Sequence, residues 1–148
     1  VRITADCPII DPTIVDKVIE QFQSGNYDYA ANIIFRTYPV GTDTEIFSFN
    51  SLEKCWNEAK QPSEREHVTP FMRNKNSNFK IENIQNDQDL SHLRWTLDLK
   101  EDLILIREIV SKIKNRPILT SDVLDLFSKE PRLISINEHL AKSRGTEI

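Results

Sequence analysis

Apolar strand-like runs that alternate with amphipathic helical stretches predict an α/β protein with a mostly parallel sheet in three layers. Three observations carry this. A run from Arg2 closes on Asp6 and is followed by a helical pattern from Pro12. A second run, His92 to Leu97, closes on Asp98 and is followed by another helical pattern from Glu101. Between them, short strand-like segments and helical segments come in turn.

The chain has 148 residues, enough for one domain with a real core and too few for two. Val1 already reads as strand interior, with no initiator Met, which predicts that the amino-terminal part of the domain is missing. Hydrophobic residues make up 39% and charged residues 28%, the balance of a globular chain rather than a disordered one. No apolar run approaches the ~20 residues that span a bilayer, and no signal peptide is present, so a cytoplasmic protein without membrane partners is expected. A net charge of -4 gives no footprint for nucleic acid, whose backbone needs clustered Lys and Arg. Cys7 and Cys55 lack the paired spacing of a zinc or redox site and read as reduced, partly buried thiols.

Each element has a local reason. Asp11 is placed to cap a helix with Pro12 at its first position, and Ile14, Val15, Val18, Ile19 and Phe22 recur at helical spacing up to Ser24-Gly25-Asn26. Tyr27 to Ala31 reads as a strand. Asn32 to Asp43 follows neither period, contains Pro39 and Gly41, and reads as a loop. Thr44 to Phe49 alternates with period two, which suits a strand. Ser51 opens a helix through Leu52, Cys55, Trp56 and Ala59. Ser63 and Glu66 have capping-box spacing for a helix running to about Arg73. Phe79 to Ile84 and His92 to Leu97 read as strands. The helix from Glu101 carries Leu103, Ile104, Ile106, Ile109, Val110 and Ile113 and closes at Asn115-Arg116-Pro117. A further helix, capped by Thr120 or Ser121, ends near Pro131, and Ile136 to Ile148 reads as a short helix with a frayed tail. Between Phe47 and Ile84 the alternation is interrupted, which suggests an excursion that forms a dimer interface.

In an open α/β sheet the carboxyl ends of the strands form the ligand crevice, and acidic groups there can hold a hard cation such as magnesium against phosphate. One Asp after a strand reads equally as a turn residue capping the next helix. Asp6 and Asp98 after two similar runs point to a shared cation. In the loop that follows the second strand, Arg36 can pair with a carboxylate and Asp43 can accept from hydroxyls, although a polar surface loop explains the same letters. Arg65 and His67 go beyond what a capping box requires and are candidates to reach a substrate or a partner subunit.

Four motifs, in order, are Arg2-Ile3-Thr4-Ala5-Asp6-Cys7-Pro8-Ile9-Ile10-Asp11-Pro12, Arg36-Thr37-Tyr38-Pro39-Val40-Gly41-Thr42-Asp43, Pro62-Ser63-Glu64-Arg65-Glu66-His67-Val68-Thr69-Pro70 and Leu90-Ser91-His92-Leu93-Arg94-Trp95-Thr96-Leu97-Asp98. Together they resemble the SpsF-type spore-coat polysaccharide cytidylyltransferases, relatives of the acylneuraminate and 3-deoxy-manno-octulosonate cytidylyltransferases. The resemblance implies a nucleotide-diphospho-sugar transferase fold of the GT-A-like kind, in which a sugar hydroxyl attacks the α-phosphate of CTP and pyrophosphate leaves. It implies that Asp6 and Asp98 hold magnesium, and that Arg36, Tyr38, Asp43, Glu45, Arg65 and His67 line the substrate side of a homodimer. Relatives of this kind begin with a strand and a Gly- and basic-rich loop that cradles the triphosphate. With only Gly25, Gly41 and Gly145 in the chain, that loop is expected to precede Val1, so residues 1–148 read as the carboxyl-terminal part of one nucleotidyltransferase domain. Two rivals stand beside this reading. One is a glycosyltransferase of the same fold using Asp43-Thr44-Glu45 as an acidic metal motif. The other is a non-catalytic dimerisation module.

Overall fold

The helices of the computed structural model, which describes residues 1–74 and 77–142, form where caps and apolar spacing agree. Helix α1 (Pro12–Ser24) starts on Asp11, whose carboxylate accepts from the backbone N–H of Thr13 at 2.9 Å, and it buries Ile14 and Val18. Strand β1 (Tyr29–Ala31) is central and fully buried. On one side it pairs antiparallel with β2 (Glu45–Phe47), and on the other parallel with β3 (Ile81–Asn83), giving the order β2-β1-β3.

The described sheet is therefore mixed, not mostly parallel. A parallel return needs a crossover of about a dozen residues or more, usually helical, whereas the segment between β1 and β2 is an irregular loop. Asn32, buried, closes that loop: its amide donates to the Thr42 carbonyl at 2.8 Å and accepts from the Thr44 N–H at 2.9 Å. The parallel β1–β3 pair has its crossover in the segment expected as an excursion, which carries α2 (Phe49–Glu58), α3 (Pro62–His67) and α4 (Pro70–Arg73) before β3.

Several boundaries differ from the sequence reading. Helix α2 is capped by Ser48, whose hydroxyl accepts from Ser51 N–H at 3.0 Å, so it starts before Ser51. At the start of α3 the Glu64 carboxylate accepts from the Gln61 N–H at 3.1 Å, in place of the expected Ser63–Glu66 pair, with Pro62 at the first helical position. The helix expected to reach Arg73 breaks at Val68, where φ is 68°, and restarts at Pro70, which has no N–H to continue the ladder. The run from Arg2 makes a single antiparallel bridge with Glu45 and then turns between Thr4 and Cys7, ahead of Pro8. The run from His92 makes a single parallel bridge, Arg94 with Val40, since the partner chain turns away at Gly41.

Helix α5 (Lys100–Lys112) and helix α6 (Thr120–Lys129) pack with the 3-10 turn Pro131–Ile136 around a core of Ile9, Leu93, Trp95, Leu105, Ile109 and Phe127. Helix α6 is held neither by Thr120 nor by Ser121 as a cap. The Leu119 N–H goes to the Asp122 carboxylate at 3.0 Å and the Thr120 N–H to Asp11 at 2.7 Å, which ties α6 to the start of α1. A short α7 (Glu138–Lys142) follows, and the tail expected beyond it, 143–148, lies outside the described residues. Both cysteines are free and buried, and among the described residues no helix is long and apolar enough to cross a membrane.

Candidate active site

Asp6 and the residues leading to Asp98 meet through the main chain. The Asp6 carbonyl accepts from Leu97 N–H at 2.8 Å and from the Thr96 hydroxyl at 2.9 Å. Asp98 follows Leu97 directly, so the two aspartates flank one hydrogen-bonded junction although 90 residues separate Thr96 from Asp6. The Gly41 loop is pressed against the same junction. A Cβ on Gly41 would stand 2.5 Å from Thr96 N and 2.7 Å from the Trp95 carbonyl carbon, and its φ of +106° is one that glycine adopts readily.

That loop delivers Asp43. The Arg36 guanidinium grips it in a fork, NH1 to Oδ1 at 2.6 Å and NH2 to Oδ2 at 2.8 Å. Sequence reading gave these two side chains separate substrate contacts, whereas the structure pairs them with each other. Burial works against the charged guanidinium, but Asp43 more than compensates and raises the Arg36 pKa. Beside them lies the Cys7 thiol, 3.8 Å from Asp6 Oδ1. Burial first, then the negative charges of Asp43 and Asp6, outweigh a hydrogen bond from Thr4 and push this thiol up to about 11. A thiol raised in this way is a weak nucleophile at neutral pH. The donors offered at the junction are carboxylate oxygens.

Asp98 is anchored by a buried ion pair that the sequence reading did not single out. Arg94, its side chain 2% exposed, donates from Nε and NH2 to the two oxygens of Asp102 at 2.9 and 2.8 Å, and from NH2 to Asp98 Oδ2 at 2.7 Å. Asp102 also accepts from the backbone N–H groups of Asp98 and Leu99 at 3.1 and 3.0 Å, and from the Asn137 amide at 2.8 Å. A signal was present: Arg94 interrupts an apolar run, and a cation between Leu93 and Trp95 must find an anion in the core. Asp102 stands at the third position of α5, where a carboxylate caps the helix.

Burial would raise the Asp102 pKa, but the hydrogen bonds from Arg94, Asn137 and the two backbone N–H groups hold it at about 2. Because the folded value is depressed below the ordinary ~3.9 of an unfolded Asp, its stabilisation is complete above about pH 4 and disappears as pH falls toward 2. We predict that denaturant unfolding at pH 5 and at pH 2 will differ by on the order of 2 kcal/mol through this group, and that Asp102→Asn will lose that part of the acid dependence. An identical acid slope in the variant contradicts the assignment.

The remaining expected site residues go elsewhere. Glu45 is buried, with one oxygen paired to Arg2 and the other accepting from the Tyr29 hydroxyl at 2.5 Å. Tyr38 is buried against α1, where its hydroxyl accepts from Lys17 Nζ at 3.1 Å. Arg65 stacks on Trp56, 4.2 Å from the ring centroid, and donates to the Trp56 carbonyl at 2.8 Å. His67 is exposed at the end of α3. Among the described residues no hydrogen bond or ion pair joins Arg65 or His67 to the Asp6–Asp98 junction.

A family model described as cytidylyltransferase matches residues 1–130, which include the whole junction. The chain belongs to the cytidylyltransferase family. Within it, this SpsF-like cytidylyltransferase is 27% identical to the spore coat polysaccharide biosynthesis protein SpsF of Bacillus subtilis, over 88% of the chain and 55% of that protein. It is 30% identical to an uncharacterized protein of Methanocaldococcus jannaschii, over the full chain and 60% of that relative. A solved structure of a cytidylyltransferase from Leptospira borgpetersenii serovar Hardjo-bovis superposes with a TM-score of 0.85 at 32% identity, covering 90% of this chain and 57% of that one. The cytidylyltransferase chain thus spans a little over half the length of the relatives it matches. Membership makes it a nucleotidyltransferase sequence of α/β content.

Proposed function

We propose that this cytidylyltransferase carries the metal and sugar side of a CMP-sugar synthetase, with a GT-A-like fold, acting in surface polysaccharide or glycan assembly. In this reading a sugar hydroxyl oxygen forms the new bond to the α-phosphorus of CTP, the bond to pyrophosphate breaks, and the hydroxyl proton leaves to solvent. The observation that supports it is the junction at which the Asp6 carbonyl is bound by Thr96 and Leu97, so that two aspartates far apart in sequence flank one contact.

The donor set fits magnesium. It consists of the carboxylate oxygens of Asp6 and Asp98, which flank one hydrogen-bonded junction. Magnesium is typically held by one or two carboxylates and completed by water and phosphate oxygens. Asp6 and Asp98 are the residues that would hold it. Neutralisation of charge on the triphosphate is what that ion supplies when bound. The chain's own part is to fix the two carboxylates through the Gly41 contact and the Arg94–Asp102 pair. Arg36 and Asp43, which neutralise each other beside the junction, would exchange partners with sugar groups.

The glycosyltransferase rival needs Asp43 and Glu45 for a metal, yet Arg36 holds both oxygens of the first and Arg2 with Tyr29 the two of the second. To test the proposal, the protein is incubated with CTP, magnesium and candidate sugars. Pyrophosphate equal to the CMP-sugar formed is expected, while transfer from a preformed nucleotide sugar without pyrophosphate favours the rival. Light scattering of the same preparation should give a homodimer joined through residues 47–84, where Phe49 and Trp56 are 74% and 69% exposed. A single-chain mass removes that part of the reading.

A further inference from the structure

We propose that Arg94 is a positioning residue for Asp98, held for that task by Asp102 and Asn137. The inference rests on the assignment of Asp98 to the metal and adds how that carboxylate is aimed. Two features separate this arrangement from an ordinary buried ion pair. First, the pair holds Asp98 twice. Asp102 Oδ2 accepts the Asp98 backbone N–H at 3.1 Å, while Arg94 NH2, bound to the same Oδ2 at 2.8 Å, donates to Asp98 Oδ2 at 2.7 Å. Main chain and side chain of one residue are thereby referred to a single fixed point. Neutralising Asp102, which is fully buried, needs only one cation, and the reach to the partly exposed Asp98 adds nothing to that.

Second, the geometry calls for a guanidinium. Nε and NH2 fix the plane on Asp102, which aims the second N–H of NH2 at Asp98. A lysine would neutralise Asp102 as well, without a rigid fork. The arrangement also leaves Arg94 NH1 buried with no partner among the described residues, a cost that a charge-only role would not require. Asn137 closes the clamp from the turn before α7, its amide donating to Asp102 Oδ1 at 2.8 Å and to the Arg94 carbonyl at 3.1 Å.

The test measures Mn2+ binding in the presence of CTP by electron paramagnetic resonance of free Mn2+, alongside thermal melting. Arg94→Lys keeps the charge and loses the fork, and it should weaken Mn2+ binding about 10-fold or more, the usual effect of removing a partner of a ligand. Placed on Asp98→Asn, the same change should weaken it no further, since Arg94 acts through Asp98. Effects that add, or a folded Arg94→Lys protein with unchanged Mn2+ binding, overturn the proposal. If Arg94→Lys does not fold, Asn137→Ala decides. It leaves all three charged groups in place and should weaken Mn2+ binding about 3-fold or more, by loosening the same partners. Unchanged binding in the folded variant overturns the clamp. Unchanged Mn2+ binding in Asp98→Asn alone removes the metal assignment itself, an outcome distinct from failure of the clamp.

Discussion

Asp98→Asn and Asp6→Asn are each expected to abolish measurable turnover while leaving the fold in place. An amide keeps the shape of the side chain and removes the charge that would bind the cation. Losing ~3 kcal/mol or more of transition-state stabilisation corresponds to roughly 10²–10³-fold in rate. The fold should tolerate both changes, for reasons visible in the structure. Asp6 is tied by its main-chain carbonyl, which the substitution leaves intact. The Asp98 side chain is 27% exposed, and its partner Arg94 retains two hydrogen bonds to Asp102. The measurement is kcat for pyrophosphate release together with the melting temperature. Wild-type turnover in both variants would falsify the metal assignment, and a large fall in melting temperature would show that these carboxylates serve the fold.

Gly41→Ala is expected to be among the most damaging single changes in the chain, although it adds one methyl group. The added Cβ would meet backbone atoms of Trp95 and Thr96 at 2.5 to 2.9 Å, and backbone cannot swing aside as a side-chain tip can. The left-handed φ of +106° adds its own penalty for a residue with a Cβ. Overpacking of this kind costs about 1–3 kcal/mol and the dihedral roughly 1–2 more. The loop can relieve the clash only by lifting from the Trp95–Thr96 segment, which carries Asp43 and Arg36 away from Asp6. Chemical denaturation should show a loss of about 2–5 kcal/mol, and any folded fraction should turn over poorly. A variant as stable and active as the parent would mean that the loop does not sit against that segment.

These contacts show which features the linear sequence announces. Helix α1 was readable because Asp11 and Pro12 act locally, through atoms two or three residues away. The paired aspartates were readable as candidates because each follows an apolar run. The clamp was not, since Arg94 meets Asp102 and Asn137 through tertiary packing, and only the oddity of a cation in an apolar run hinted at it. Arg36 and Asp43 show a related limit. Each is a reasonable ligand for a sugar when considered singly, and only the curl of the loop between them reveals that they satisfy one another. Sheet direction depended on something equally non-local: the side chain of Asn32 bonding Thr42 and Thr44 turns the chain back within the segment that reads as a loop, so the next strand returns antiparallel. The helix boundaries around Pro62 and Pro70 differ from the sequence pattern because each proline, lacking an N–H, takes the first helical position.

The bond from Thr96 to the Asp6 carbonyl closes a loop of 90 residues. Closure entropy grows with loop length, so contacts of this separation are reached only after nearer ones have organised the polymer between them. The junction between Asp6 and Thr96 is therefore expected to form late on the route to the native state. A refolding experiment followed in parallel by far-ultraviolet circular dichroism and by Mn2+ uptake should show helices first and ion capture last, and simultaneous recovery of the two would argue that Asp6 and the Thr96 segment find each other early.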